Sequence, residues 1–371
     1  MTTTLLLGKN DLRALVLGVG LDRLMDLSIE RIERLLHSQS GDELDIPPRQ
    51  GFVDVSGEPS VMEWMPILRR GQHTLVKHVG YHPNNPSARD LPTIVSVLAL
   101  FDESSGHLRT LCDGTFLTAV RTGAASAIAS RALAHPESRT LGLVGCGAQS
   151  ITQLHAISRV IPLDTVLYYD RDPDTMASFP RRAARYGVAL RPATLREIAE
   201  RSDIICTATS VEPGGGPVID LTACTDWLHV NAIGSDLPGK IELPLAFLRD
   251  ALVVPDFTPQ AAREGESQQL EPSEIGPELH DVVTHSERYE DWRSRHTVFD
   301  STGFALEDLA VLEVVEELAI AHGIGAAMEI EAIGTDPHDP YAFVLAPAAV
   351  DAFASRTTMA PERPAAVRIV R

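Results

Sequence analysis

The spacing of apolar residues divides the chain into two kinds of segment. From Asn10 onward apolar residues such as Leu21, Met25, Ile29 and Ile32 recur near every 3.6 positions, which predicts helices with Asn10 as the N-terminal cap. After Pro47 and Pro48 the pattern becomes a series of short runs that suit antiparallel strands, at 51–55, 73–79, 93–101 and 109–112. The first third of the chain is therefore predicted to be α+β.

The pattern changes between residues 138 and 303. Brief, wholly apolar runs alternate there with helical stretches, as expected for a parallel sheet covered on both faces. The six runs are LGLVG, TVLYYD, DIICTATS, WLHVNAIG, ALVVPD and TVFDSTG. They predict a doubly wound sheet of the Rossmann type.

A long helical segment, ALEDLAVLEVVEELAIAHGIG, follows Gly303 and is expected to pack back on the first domain. Its acidic residues mark a charged face formed by Glu307, Asp308, Glu313 and Glu316. A chain of 371 residues exceeds the usual size of one hydrophobic core. The predicted fold class is thus α/β, with a Rossmann domain at 131–306 and a split α+β substrate-binding and dimerisation domain at 1–130 and 307–371.

Charge and composition narrow the function classes. The 51 acidic and 32 basic residues give a formal charge of −19, which repels nucleic acids and anionic lipid surfaces. No apolar run reaches the roughly 18 residues that a membrane span needs, and no secretory signal is recognisable, so a cytoplasmic protein is expected. Four cysteines without CxxC spacing predict reduced, packed thiols. His73, His78 and His82 lack metal-ligand spacing, and no metal is expected.

A glycine-rich turn follows the LGLVG run. Gly145 permits a tight strand-to-helix turn, and Gly147 lets the backbone approach a pyrophosphate at a helix N-terminus, although Ser150 replaces the third glycine of the usual motif. Asp170 ends the next run, 25 positions after Gly145, where a carboxylate accepts ribose hydroxyls and disfavours NADP. The alternative is a solvated loop acid. NAD is the predicted cofactor, with Arg171 leaving NADP tolerance open.

Three cations occur in segments that carry few other charges. Arg49 follows two prolines, Lys77 lies within TLVKHVGY, and Arg121 opens a small-residue helix. A buried cation requires an anion. One interpretation is a substrate carboxylate; the other is a structural ion pair with Glu63 or Asp113, or a strand edge at which Lys77 faces water.

Asp236 lies in WLHVNAIGSDLPGK, just beyond a predicted parallel strand, where open α/β sheets bind ligands. A carboxylate at this position is suited to proton transfer. The alternative is an aspartate that only stabilises a turn. The sequence has no Gly-x-Ser-x-Gly nucleophile motif, so hydrolase chemistry is not indicated.

Together these segments resemble the ornithine cyclodeaminase/mu-crystallin family. The matching stretches include LVKHVGYHPNNP, LCDGTFLTAVRTGAASAIASRALA, GLVGCGAQSITQLHA, HVNAIGSDLPGKIELP, REGESQQL and VFDSTGFALEDLA. MEWMP, FDSTGFALED and DPYA carry a narrower likeness to actinobacterial members that act on L-lysine.

The resemblance implies roles for individual residues. Arg49 and Lys77 would hold the substrate carboxylate with Arg121 nearby, Thr302 would touch the substrate, Glu63 would be a pocket acid, and Asp236 would be the catalytic acid/base. The implied NAD contacts are Thr93, Arg121, Ala148, Gln149, Asp170, Thr209, Ile233, Lys240 and Ser301. The family also implies a homodimer.

The implied reaction converts L-lysine to L-pipecolate, releasing ammonia and recycling NAD internally. L-ornithine to L-proline is the alternative substrate pair, since one methylene is worth only roughly 1–3 kcal/mol in a pocket. A ketimine reductase or amino-acid dehydrogenase is a second alternative, because fold alone does not settle the reaction. A mu-crystallin-like binding protein without turnover is the third.

Overall fold

The computed structural model describes residues 3–38, 43–54 and 60–345. The described residues from Leu5 to Ala326 form one compact unit, and those at either end of this range belong to a second unit. The larger unit contains both sheets and every predicted site residue. The predicted domain boundaries near residues 130 and 306 stay a prediction.

The first sheet is mostly antiparallel. Its strands are β1 (Thr4–Leu7), β2 (Leu44–Asp45), β3 (Gln50–Asp54), β4 (Ser60–Arg69), β5 (His73–Tyr81), β6 (Ile94–Asp102) and β7 (Leu108–Asp113). They run in the order β1-β7-β6-β5-β4-β2, and β3 also pairs with β4. The four predicted strands are confirmed to within two residues, except that Val55 lies outside the described residues. The prediction missed β1, β2 and β4.

Four helices accompany this sheet: α1 (Lys9–Val19), α2 (Leu21–His37), α3 (Asn85–Ala88) and α4 (Gly114–Leu133). The prediction of Asn10 as a cap is wrong, because the cap is Gly8, whose amide donates to Asp11 Oδ2 at 2.9 Å. The apolar stripe of α2 is buried as predicted. Arg121 does not open a helix but lies in the middle of α4.

The second sheet confirms the Rossmann prediction. Its strands are β8 (Thr140–Val144), β9 (Thr165–Tyr169), β10 (Ala189–Pro192), β11 (Ile204–Thr207), β12 (His229–Ala232), β13 (Leu252–Pro255) and β14 (Thr297–Asp300). They pair in parallel in the order β10-β9-β8-β11-β12-β14-β13. Each of the six predicted runs contains a strand. The exposed edge strand β10 was missed because it has no apolar run.

Helices follow most strands of this sheet: α5 (Ala148–Val160), α6 (Pro173–Ala183), α7 (Leu195–Arg201), α8 (Leu245–Asp250), α9 (Thr258–Glu264) and α10 (Leu279–Thr284). Single 3-10 turns occupy Ala184–Tyr186, Glu266–Gln269, Ser286–Arg288 and Glu290–Ser294. Because the strands are parallel, their carboxyl ends lie at one edge of the sheet, where this fold binds its ligands.

The long helix α11 (Ala305–His322) packs against α2, α4 and β4, as expected. The acids of its predicted charged face point away from solvent. Glu307, Asp308, Glu313 and Glu316 are all buried, because each faces a cation on another element. The acidic side chains therefore connect the helix to the interior.

At the end of the described chain lie the short strand β15 (Ala326–Met328) and the helix α12 (Ala342–Leu345). The Pro- and Ala-rich tail beyond residue 345 lies outside the described residues. Within the ranges that the structure describes, none of the helices has the length and apolarity to cross a bilayer.

Candidate active site

The strand order of the second sheet reverses between β8 and β11, and the glycine-rich turn lies at this point. Gly145 has φ +96°, and a Cβ there would lie 2.5 Å from the carbonyl oxygen of Ala208, so the turn requires glycine. Gly147 caps α5, and a Cβ on it would meet no atom within 4 Å. Open space thus adjoins the helix N-terminus, as a pyrophosphate cradle requires.

Asp170 follows β9 and closes one side of this turn. Its Oδ2 accepts the amide of Cys146 at 2.7 Å, and its Oδ1 accepts the amide of Asp172 at 2.9 Å. A carboxylate offers about four acceptor positions, so both oxygens retain capacity for ribose hydroxyls. The predicted partner of the ribose thus also orients the glycine turn.

The other predicted cofactor contacts lie mainly at the carboxyl edge of the sheet. Ala148 and Gln149 begin α5, Thr209 comes two residues after β11, and Ile233 directly follows β12. Thr209 is held by Glu242, which accepts its amide at 2.7 Å and its hydroxyl at 2.6 Å. Thr93 lies apart from these positions, directly before β6.

Ser301 follows β14 and carries the clearest sign of a missing partner. It is 3% exposed, and its Oγ has no hydrogen-bond partner among the described residues. A buried hydroxyl without a partner is costly. The polar end of a nucleotide bound along this edge would supply one, and together with the open turn at Gly147 this fits a dinucleotide.

The guanidinium of Arg49 contacts four other residues. Its Nε lies 2.9 Å from Oε1 of Glu264 and 3.4 Å from Oε1 of Glu63. Nη1 donates to the carbonyl of Thr302 at 3.0 Å, and Nη2 donates to the carbonyl of Asp236. The structure therefore brings together Arg49, Glu63, Asp236 and Thr302, which are far apart in sequence.

The two acids beside Arg49, Glu63 and Glu264, have raised pKa values. Burial raises the pKa of Glu63 and of Glu264, while Arg49 lowers it in both cases, and the charge of Asp236 adds to the increase. Three carboxylates face two cations, Arg49 and Lys240, which leaves this end of the site negative. Such an environment favours a ligand that brings a cation.

Lys77 on β5 lies in the interior. It is 1% exposed, and its Nζ lies 2.9 Å and 3.1 Å from the two oxygens of Asp308. The alternative of a water-facing lysine is therefore wrong, and so are the partners Glu63 and Asp113; Asp113 instead caps α4 by accepting the amide of Phe116 at 3.1 Å. Burial lowers the pKa of Lys77 to about 8 despite Asp308.

Arg121 reaches the same place from α4. Its Nη1 lies 3.0 Å from Oε2 of Glu307, and its Nε lies 3.5 Å from Oδ1 of Asp308. Burial lowers the pKa of Arg121, but Asp308 and Glu307 outweigh it and raise the pKa overall. Lys77 and Arg121 thus converge on Asp308 and supply the two cations of this part of the site.

Gly303 makes room for this guanidinium. A Cβ at Gly303 would lie 2.9 Å from Nη2 and 3.2 Å from Nη1 of Arg121, and the residue has φ +96°. We expect Gly303→Ala to displace Arg121 and to raise KM for the substrate at least tenfold, an effect of ~1.4 kcal/mol, as measured by steady-state kinetics.

Gly323→Ala is the matched control. Gly323 also has positive φ, +63°, but a Cβ there meets nothing within 4 Å. It should lose stability through backbone strain and keep its KM. Equal KM values in Gly303→Ala and the wild type would show that Arg121 does not depend on this glycine.

Asp236 forms an ion pair with Lys240 across one turn of the loop after β12. Its Oδ1 lies 2.8 Å from Nζ of Lys240, and the side chains are 25% and 2% exposed. The ammonium of Lys240 also lies 5.0 Å from the centre of the Tyr81 ring. Lys240, predicted as a cofactor contact, therefore orients the predicted acid/base in this structure.

Sequence reasoning missed five acids of the site: Glu242, Asp256, Glu264, Glu307 and Asp308. Glu242 and Glu264 lie in segments used above only for the family likeness, Asp256 ends a predicted strand run, and the other two were assigned to the charged face of a helix. The signal that singled out Lys77, a charge within an apolar segment, applies equally to Glu307 and Asp308. Over the described ranges, no group of three His, Cys, Asp or Glu residues is arranged to hold a metal ion.

A doubly wound sheet with a glycine turn at its switch point, together with a cluster of buried charged side chains, defines a Rossmann-type protein with a small-molecule site. Residues 10–323 match the model of the ornithine cyclodeaminase/mu-crystallin family. The chain belongs to this family.

Individual proteins agree with that assignment. The chain is 40% identical to the L-lysine cyclodeaminase of Streptomyces rapamycinicus over 339 residues, which cover 91% of this chain and 99% of that protein. A lysine cyclodeaminase solved to explain recognition of L-lysine, L-ornithine and L-2,4-diaminobutyric acid superposes with a TM-score of 0.90 at 45% identity, covering 92% and 100% of the two chains. An archaeal alanine dehydrogenase dimer with bound NAD superposes with a TM-score of 0.77 at 28% identity, covering 89% and 100%.

Proposed function

We propose that this chain is an NAD-dependent cyclodeaminase that converts L-lysine to L-pipecolate and releases ammonia. The observation that carries the proposal is one site with two different ends: Lys77 and Arg121 at one, and Glu63, Asp236 and Glu264 at the other. The charge of Lys77 acts on Glu63, so the two ends are neighbours. A diamino acid has a carboxylate for the first end and a distal ammonium for the second.

The charge balance supports a cationic substrate. Within the described site, the four cations Arg49, Lys77, Arg121 and Lys240 face seven carboxylates, Glu63, Asp236, Glu242, Asp256, Glu264, Glu307 and Asp308. With every acid ionised, the formal excess is three negative charges. L-lysine has net charge +1, and the oxidised nicotinamide ring of NAD is also a cation. An amino acid without a second amine would compensate less of this excess.

The residues of the site have separable tasks in this proposal. Lys77 and Arg121 bind the substrate carboxylate, and Arg49 holds Glu63, Glu264 and the backbone of Asp236 in place. Asp236 takes the proton from the distal ammonium, since no described residue donates a hydrogen bond to its Oδ2. Holding both ends of one flexible chain favours ring closure.

The dinucleotide would be held by the turn at Gly145 and Gly147, by Asp170 and by the hydroxyl of Ser301. When bound, NAD would accept a hydride from Cα of the substrate and return it to the cyclic imine left after ammonia is lost, which gives L-pipecolate and regenerates NAD. The solved relative with bound NAD supports this choice. Asp170, where a carboxylate repels the 2′-phosphate of NADP, supports it as well.

The proposal is tested by incubating pure enzyme with catalytic NAD and with L-lysine, L-ornithine or L-2,4-diaminobutyrate, measuring ammonia and the cyclic products by mass. We expect L-pipecolate to exceed the other products, without net NADH. Preference for L-ornithine would assign the alternative substrate, and stoichiometric NADH would assign a dehydrogenase. Absence of turnover would contradict the proposal and favour the binding-protein alternative.

We also propose a homodimer formed by the outer face of the first sheet. Phe52, Met62, Val95 and Val97 share that face and are 72%, 38%, 43% and 38% exposed. An exposed apolar patch on a sheet commonly marks an interface. Sedimentation velocity should give a dimer, and Val97→Glu should shift it to monomer.

A cytoplasmic location, supported by four free cysteines, is testable by cell fractionation.

A further inference from the structure

Two successive acids begin α11 and face two different elements. Glu307 and Asp308 are 1% and 0% exposed. Glu307 pairs with Arg121 on α4 at 3.0 Å, and Asp308 pairs with Lys77 on β5 at 2.9 Å. Both cations proposed to bind the substrate carboxylate therefore already have a buried anionic partner.

A third acid faces the same cluster. Asp256, after β13, accepts the amide of Gly303 at 2.7 Å and the hydroxyl of Thr302 at 3.0 Å, and its charge acts on both Arg121 and Glu307. The cluster thus has three carboxylates for two cations. Adding a substrate carboxylate makes a net charge of −2 in a region of low dielectric, where repulsion is strong.

This repulsion is relieved if one acid becomes neutral. Asp308 is the worse candidate because both Lys77 and Arg121 hold it, at 2.9 Å and 3.5 Å. Asp256 accepts three hydrogen bonds, from the amides of Phe257 and Gly303 and from the hydroxyl of Thr302, which favour its ionised form. Glu307 contacts one cation. We infer that Glu307 is a positioning residue that takes up one proton from solvent as the substrate carboxylate binds beside Lys77 and Arg121, and that it releases the proton when product leaves.

The titration of Glu307 agrees with this geometry. Burial raises the pKa of Glu307 to about 8, Arg121 opposes the increase, and Asp256 and Asp308 add to it. An incoming carboxylate raises it further. Above pH 8 the free enzyme therefore has Glu307 ionised and the bound enzyme has it protonated, whereas below about pH 7 both are protonated. Binding should weaken as pH rises above 8.

The inference rests on the proposed function, so its test uses a ligand that does not react. 6-Aminohexanoate has the carboxylate and distal ammonium of lysine but no α-amine. Its binding to enzyme saturated with NAD is measured by calorimetry in buffers of different ionisation enthalpy. We expect uptake of about one proton at pH 9 and little at pH 6.5, and a Kd that rises roughly fivefold between pH 8 and pH 9.

Glu307→Gln reproduces the neutral form of the side chain and should abolish both the proton uptake at pH 9 and the rise in Kd between pH 8 and pH 9. In steady-state kinetics, the KM of this variant for lysine should no longer rise above pH 8, while kcat keeps its pH profile. Glu316→Gln is the matched control: Glu316 is also buried on α11 and pairs with an arginine, Arg109, outside the site. It should leave proton uptake unchanged.

Two outcomes overturn the inference. Uptake that persists in Glu307→Gln would assign the proton to Lys77, whose pKa is also about 8. A wild-type Kd that stays constant between pH 8 and pH 9 would exclude proton uptake without any variant. Ammonia release from lysine is measured separately, so either outcome leaves the proposed function standing if ammonia forms.

Discussion

Replacing Asp236 by Asn is expected to lower kcat for ammonia release by about 10²- to 10⁴-fold, the range that a positioned acid/base contributes. The amide oxygen still accepts a hydrogen bond from Lys240 Nζ, which lies 2.8 Å from Oδ1 in the wild type, and the backbone carbonyl still accepts from Arg49. The loss should therefore reflect proton transfer rather than a collapse of the loop. KM for lysine should change much less than kcat.

Asp226→Asn is the control for this variant, because Asp226 is exposed and lies before β12 rather than after it. It should retain wild-type kcat. Single-turnover measurement of ammonia by a coupled assay would separate chemistry from product release. If Asp236→Asn released ammonia at the wild-type rate, Asp236 would have no role in proton transfer.

Lys77→Met should nearly abolish turnover and also destabilise the fold. The variant loses a proposed carboxylate ligand and leaves Asp308, which is fully buried, without its closest cation. Breaking a buried ion pair costs about 3–5 kcal/mol, and the lower end applies here because Arg121 Nε remains 3.5 Å from Asp308. We expect kcat/KM for lysine to fall by about 10³-fold or more, given the value of charge-assisted bonds in a dry site.

The double variant Lys77→Met/Asp308→Leu separates the two effects. Replacing both partners of a buried pair with apolar residues is often neutral for stability. Chemical denaturation should therefore recover much of the free energy of unfolding, while kcat/KM stays low. Recovery of activity in the double variant would show that Lys77 only compensates Asp308 and does not bind substrate.

The success of the sequence prediction differed between the two sheets for a physical reason. Parallel strands buried on both faces give continuous apolar runs, and each of the six predicted runs contains a strand. β10 is an exposed edge, and β4 carries Glu63 and Pro66 in a long strand with mixed exposure. The patterns of apolar and polar residues in β4 and β10 do not distinguish a strand from a loop, so these strands are recognisable only from their pairing with neighbouring strands.

The structure brings Arg49 together with Glu63, Asp236 and Thr302, and Lys77 together with Arg121, but the ion-pair partners differ from those suggested. Arg49 meets Glu63, as one of the suggested structural pairs would have it, and also Glu264. Lys77 pairs with neither suggested partner. The pairs Lys77–Asp308 and Arg121–Glu307 join residues 231 and 186 positions apart, a separation that no local pattern encodes.

The sequence by itself determined the Rossmann sheet and the turn at Gly145, which requires glycine. It also singled out Arg49, Lys77, Arg121 and Asp236 from their sequence context. These follow from local sterics and from the period of apolar positions. Tertiary structure alone decided that the acids of α11 are buried and that three carboxylates surround Arg49. A helical pattern with regular acidic positions is equally compatible with solvent and with a buried cation, and the choice depends on what packs against it.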